Sequence, residues 1–440
     1  MATLNPLTVL VVLLMVAAQQ TIAECMATQP HDDVVDDNLS NDDLEAFSRS
    51  SEDWAAEDQT TTLRQVLMIH RHGDRTPIGF LPADKLANES FWALHGLSQL
   101  TNRGKARLSM LGEIMRMRYN RFLRRSVNKN QRKTRSSGAM RCIESAQVFL
   151  SSFLGLNQPL SPDAHSLKWD KKSQIGQIWQ PASVYTFSAN LDGMLNEGAA
   201  CKALDAEYEK IDDSEEFRRL TQEYASETKV LREVLGFETD HFYKWFWASS
   251  LLEVELSYFP EKFDPRLREA YKRIEEAGNK ALVMYQSTHL SKRLRGGLLI
   301  NDMLKNMQAM RQIIDQNLAP GQFDKKFVHY SAHDLNLVIL LGMMDNMDKY
   351  PFRPDYASNI IIELHQDDQE WFVRLFYMAH VPSEPIELHI RECERGHPMG
   401  RCTLDKFEEV MEKYKITSWL LWMQECGNDI SKVDPYADNL

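Results

Sequence analysis

The chain has 440 residues, 43% hydrophobic and 26% charged, with a formal net charge of −12. That balance belongs to a globular protein with room for one large core or two. No clustered basic face is wide enough to track a phosphate backbone, which excludes nucleic-acid binding and leaves small anions open.

The first recognisable element is the apolar run "LTVLVVLLMVAA" at residues 7–18, followed by Thr21-Ile22-Ala23, whose small residues suit a signal peptidase. A secretory signal peptide over residues 1–23 is expected. The Lys or Arg usual before such a run is missing, so an uncleaved anchor is the alternative, although the run is short for a span. No later segment has the ~18 consecutive apolar residues of a membrane helix, so no span is expected after cleavage. Residues 24–60 then hold twelve acids against Arg49 alone, a net charge of −11, which leaves about −1 for the rest of the chain. An acidic, disordered leader over 24–62 is the expectation.

The body, residues 63–440, begins with "QVLMI", a short apolar run with turn chemistry behind it that predicts a buried parallel strand. "TNRGKARLSMLGEIMRMRYNRFLRR" follows with helical spacing at Leu108, Leu111, Met115 and Tyr119. Residues 133–154 repeat the theme, a polar loop ending in a cap-like Ser-Ser-Gly and then an amphipathic helix. Residues 205–290 are charged, with Glu and Lys three or four apart, and predict a helical lobe inserted at about 190–290. "KFVHYSAHDLNLVILLGMM" is again an apolar run leading through Ser-Ala-His-Asp into an apolar helix. "NIIIELHQ" and "EWFVRLFYM" read as strands on either side of the turn signal Asp367-Asp368-Gln369. The fold class expected is α/β, a mostly parallel sheet flanked by helices, with a smaller helical second lobe.

In open α/β sheets ligands bind where parallel strands end, and "HRHGDRTP" falls at such an end. Gly73 is expected to let the backbone turn sharply, and Pro77 to stop the element continuing. Arg71 and Arg75 are permanent cations whose planar forks match phosphate oxygens, with carboxylate pairing the plainer use of the same residues. A histidine beside a bound anion can be nucleophile, general acid or base, or metal ligand. His70, His72 and Asp74 also satisfy H-x-H-x-D, the opening of a binuclear metal-hydrolase motif, but Arg75 stands where that motif's next histidine would be, and a fixed cation opposes a metal cluster.

"RHGDRTP" resembles the R-H-G-x-R-x-P signature of the histidine acid phosphatases, and "YSAHDLN" at 330–336 resembles their second, His-Asp signature, about 260 residues on. The similarity runs through "RSSGAMR", "IWQP" and "RLRGGLLIN" to the Cys393–Cys402 segment, covering roughly residues 63–426, and is to secreted prostatic-type and insect venom-type members. The resemblance implies a phosphoglycerate mutase-like sheet and a metal-independent acid phosphatase without cofactor. In that scheme His72 attacks phosphorus and becomes a phosphohistidine. Arg71, Arg75 and Arg135 hold the phosphoryl oxygens, with Arg141 the alternative to Arg135, His333 is a further donor, and Asp334 protonates the leaving oxygen. An acidic optimum follows if Asp334 must be protonated first. His70 is expected to be packed rather than catalytic, and Asp74 to orient neighbouring arginines or amides.

The resemblance also implies disulfides Cys201–Cys426 and Cys393–Cys402, leaving Cys142 as a buried thiol and Cys25 without counterpart. A third bridge of the prostatic type is missing, with Asn359 where one cysteine would be. Asn38 and Asn88 head N-x-S acceptor sites, in keeping with export to the extracellular space or, second, the lysosomal lumen. Substrates are expected to be small phosphate monoesters, with phosphoproteins and phospholipids also open, and a homodimer is allowed. Two rivals remain: a secreted binding protein that kept the fold without catalysis, and the metal hydrolase.

Overall fold

A computed structural model describes residues 61–123, 131–154, 181–238, 241–318, 325–347, 349–350 and 352–429. The signal segment, nearly all of the acidic leader, Cys25 and Asn38 lie outside the described residues. Among the described residues eight strands form one sheet: β1 Leu63–Arg71, β2 Arg132–Ser136, β3 Tyr185–Thr186, β4 Phe327–Ala332, β5 Asn359–Asp367, β6 Glu370–Met378, β7 Ile386–Leu388 and β8 Cys402–Thr403. The order is β3-β2-β4-β1-β5-β6-β7, with β8 also on β6. The β3-β2-β4-β1 half is parallel and the rest antiparallel.

The helices are α1 Ser90–His95, α2 Asn102–Arg118, α3 Met140–Phe153, α4 Lys202–Asp212, α5 Glu215–Glu223, α6 Ala225–Leu235, α7 Phe242–Tyr258, α8 Pro265–Gln286, α9 His289–Asp315, α10 Asp334–Met343, α11 Leu404–Glu412 and α12 Trp419–Glu425, besides two four-residue turns of helix. Strand residues alternate between two apolar layers, as they must when both faces are covered. Leu67 and Ile69 of β1 pack with Leu299 and Met303 of α9 and Leu337 of α10. Val66 and Met68 pack with Leu108 and Leu111 of α2 and Phe149 of α3. Helices α4 to α8 lie between Lys202 and Gln286, largely within the 205–290 segment whose charge spacing predicts helix.

Local chemistry sets the boundaries. Thr101 Oγ1 caps α2 by accepting from Gly104 N at 3.2 Å, and Asp264 caps α8 just before Pro265. The β5–β6 hairpin turns at Asp368 and Gln369, with Asp368 at φ 52°, a conformation Asp tolerates better than most residues. One expectation fails, and another gains a second reason. Helix α3 starts at Met140 after an Ala139 that gives no side-chain cap, so Ser-Ser-Gly is not its cap. Gly73 has no positive φ; it is required by close packing, since a Cβ there would stand 2.6 Å from Gly104 O, just as one on Gly104 would stand 2.3 Å from Asp74 O. The loop after β1 is thereby seated on the first turn of α2.

Disulfides join Cys201 to Cys426 and Cys393 to Cys402, the first bridging 225 residues to tie the start of α4 to the end of α12. Cys142 is a buried free thiol. Among the described residues no helix is long and apolar enough to cross a membrane.

Candidate active site

Arg71 and Ala332 are register partners at the ends of β1 and β4, so the next residues, His72 and His333, emerge side by side. Their rings meet edge to face at 5.6 Å. The parallel half of the sheet thus delivers both signatures to one edge, and a pocket forms there, with His72, Arg75, His333 and Asp334 on its floor.

His72 Nδ1 lies 2.9 Å from the carbonyl of Gly73. A carbonyl only accepts, so Nδ1 carries the proton and the lone pair sits on Nε2. Burial first, and then Arg141, Arg71, His333 and Arg75, push the His72 pKa well below its usual value, so the ring is neutral, as a nucleophile must be. Arg75 is buried, donating to Ser250 Oγ at 2.9 Å and to its neighbour's carbonyl at 3.2 Å, with Nε unpartnered.

Asp334 opens α10, where the positive end of the helix favours a carboxylate. Burial alone would raise its pKa, but Arg71, Arg353, His333 and Arg75 together outweigh burial and hold it below the usual carboxyl range. The contact with Arg71 is 3.1 Å, Nη2 to Oδ2. Arg71 does not line the pocket; it is buried behind Asp334, donates to Pro354 O at 2.7 Å and lies 3.9 Å from the centre of the Tyr356 ring.

His333 Nδ1 accepts a hydrogen bond from Arg141 Nη2 at 3.3 Å, so the ring proton is on Nε2, which donates to Ser137 Oγ at 2.9 Å. Burial, then Arg141, pulls His333 down to about 3, and its backbone N–H is held by Asn336 Oδ1 at 3.0 Å.

Arg135, like Arg71, is a sequence-predicted phosphate-binding residue that does not line the pocket. It points along β2 into a buried ion pair with Asp192, 2.8 Å apart, and stacks 5.0 Å from Phe187. Arg141, the alternative, lines the pocket from the first turn of α3, steadied by Ser98 Oγ at 2.7 Å. The physical reason is strand geometry: residue 135 still lies within β2, whereas 141 follows the turn that bends the chain back over the sheet edge.

The H-x-H-x-D triplet disperses. His70 faces the core, stacked 4.9 Å from His329, and Asp74 is held by Arg107 at 2.8 and 3.2 Å. Among the described residues no three His, Cys, Asp or Glu side chains gather as a metal-ligand set. Tyr330 donates to Asp302 at 2.7 Å and Ser331 to the Cys142 carbonyl at 2.7 Å, both structural uses. Sequence reasoning missed Glu197 and the aromatic wall Tyr243, Phe246 and Trp247, all of which line the pocket. The cluster "FYKWFW" at 242–247 was the one available signal; Glu197 had none.

A neutral imidazole with its lone pair free, two guanidiniums and a carboxyl around one small cavity make a site for a tetrahedral oxyanion on an α/β sheet. The description "Histidine phosphatase superfamily (branch 2)" matches residues 62–378. The prostatic acid phosphatase of Rattus norvegicus is 31% identical over 370 residues, covering 82% of this chain and 89% of that protein. The lysosomal acid phosphatase of Xenopus laevis is 26% identical over 383 residues, covering 82% and 78%. Among solved structures, the phytase from Citrobacter braakii shares the fold at a TM-score of 0.58, with 16% identity and coverage of 83% of this chain and 99% of that one. The chain belongs to branch 2 of the histidine phosphatase superfamily.

Proposed function

We propose that the protein is an acid phosphatase that hydrolyses phosphate monoesters through a phosphohistidine at His72. The observation that carries this reading is the 2.9 Å contact from His72 Nδ1 to the Gly73 carbonyl, which fixes the tautomer and leaves Nε2 free beside the pocket cations. In the first step Nε2 bonds to phosphorus as the bond to the ester oxygen breaks, and Asp334 gives that oxygen its proton. In the second, water displaces the imidazole from phosphorus, with Asp334 taking the proton back. Arg75 and Arg141 neutralise the phosphoryl oxygens, and Arg71 acts from behind by holding Asp334.

Asp334 is ionised in the free site at mildly acidic pH, so it gains its proton only when a bound phosphate dianion counters the arginines. Acid favours that uptake, which accounts for an acidic optimum without a protonated resting Asp334. Secretion, with the lysosomal lumen second, is supported by the apolar N-terminal run, the two disulfides and the exposed acceptor Asn88.

The test is hydrolysis at pH 5 of a nitrophenyl and an alkyl phosphate by wild type and Asp334→Ala. Wild type turns over both, and the variant loses ~10²–10⁴-fold on the alkyl ester but far less on the nitrophenyl ester, whose anion leaves without a proton. No hydrolysis by wild type overturns the reading, and equal loss on both esters removes the leaving-group role of Asp334.

A further inference from the structure

Glu197 stands in the loop before Cys201 and lines the same pocket as His72, Arg141 and Asp334. Its Oε2 is enclosed and has no hydrogen-bond partner among the described residues. An enclosed, unpaired carboxylate is costly unless a proton or a cationic ligand neutralises it. Opposite chemistry lies on the same wall, where Tyr243, Phe246 and Trp247 face the pocket, the rings of Tyr243 and Phe246 5.8 Å apart and inclined at 54°. Aromatic faces attract a cation, and one carboxylate among them completes the charge balance.

We propose that Glu197 and this aromatic wall select phosphate monoesters whose alcohol carries an alkylammonium group. The inference rests on the reading above, because the alcohol half of the ester must lie on the Asp334 side of the phosphorus, and that is the side Glu197 shares. The charges facing Glu197 are Asp334, Arg141, Arg295 and Arg75, with the Tyr243 phenol and the Cys142 thiol also within its field. Burial first, then Asp334, pushes its carboxyl up to about 7 against the opposing arginines. Glu197 is therefore neutral at pH 5 and becomes an anion as pH rises through 7, so selection for a cation strengthens in that direction.

Phosphocholine and 3,3-dimethylbutyl phosphate have the same shape and differ only in a fixed positive charge, which can neither donate nor accept a proton. The measurement is the ratio of their kcat/KM values from pH 5 to pH 8 in wild type and in Glu197→Gln. The ratio in wild type should exceed one and grow about tenfold, the equivalent of about 1.4 kcal/mol, across that range. In Glu197→Gln it should be smaller and flat with pH, and any general loss of activity cancels in the ratio. A wild-type ratio that is one or below, or flat with pH, or one that Glu197→Gln leaves unchanged, overturns the proposal. Hydrolysis of neither ester by wild type overturns the phosphatase reading itself, and this inference with it.

Discussion

Arg71 Nη2 lies 3.1 Å from Asp334 Oδ2 behind the pocket, with both side chains buried. This pair keeps the carboxyl of the proposed general acid ionised in the free enzyme, and the depressed pKa separates resting state from working state. Sulfate does not change charge at pH 5, so protons taken up when it binds belong to the protein. Calorimetry in buffers of different ionisation enthalpy should register uptake approaching one proton in wild type and a clearly lower value in Asp334→Asn. Equal uptake in the two would mean that Asp334 does not gain the proton.

Arg135 and Arg141 should separate by kind of defect. Arg135→Ala strands Asp192 as a buried unpaired acid, which costs ~3–5 kcal/mol of stability while vanadate affinity of the folded fraction stays close to wild type. Arg141→Ala removes a pocket cation and should weaken vanadate at least tenfold with a much smaller shift in the urea midpoint. Denaturation curves and vanadate inhibition decide it, and the opposite pattern would return Arg135 to the site.

The stacked His70 and His329 make the fold acid-sensitive. Both rings are fully buried, and His70 Nε2 and both nitrogens of His329 lack partners. Burial takes His70 down to about 4, against the opposing hydrogen bond to the Arg71 carbonyl, and takes His329 well below its usual value, with His70 and Arg132 adding to the depression. The unfolded chain binds protons at these residues as pH falls below about 6.5 while the folded protein does not, so stability drops from there down toward pH 4, by about 1.4 kcal/mol per pH unit for each histidine. Urea unfolding at pH 7, 6 and 5 should show a shallower acid loss in His70→Phe and shallower still with His329→Met added. An unchanged slope would mean that the pair protonates in place.

The parts of this architecture readable from sequence are those fixed by local pattern. The run Val66–Ile69 ends in charge at Arg71 because the strand leaves the sheet there, and Asp367–Gln369 separates two apolar strands because a two-residue hairpin needs such residues. What was misread depended on partners distant in the chain. Ser137 looks like a helix cap until His333, on another strand's end, takes its hydroxyl. Arg135 and Arg141 both follow the family pattern, and only the packing of Asp192 against β2 shows which one is already committed. Glu197 reaches the pocket through the fold of an irregular loop and has no periodicity or motif to announce it.

Trapping the phosphoenzyme decides whether His72 acts covalently. Wild type, His72→Ala and His70→Ala are mixed with radiolabelled nitrophenyl phosphate at pH 5 and quenched in alkali, where a nitrogen–phosphorus bond survives, and the labelled peptide is mapped. Label is expected on the peptide carrying residue 72 in wild type and in His70→Ala, and none in His72→Ala. Label on any other residue, or full turnover by His72→Ala, would contradict a covalent role for His72.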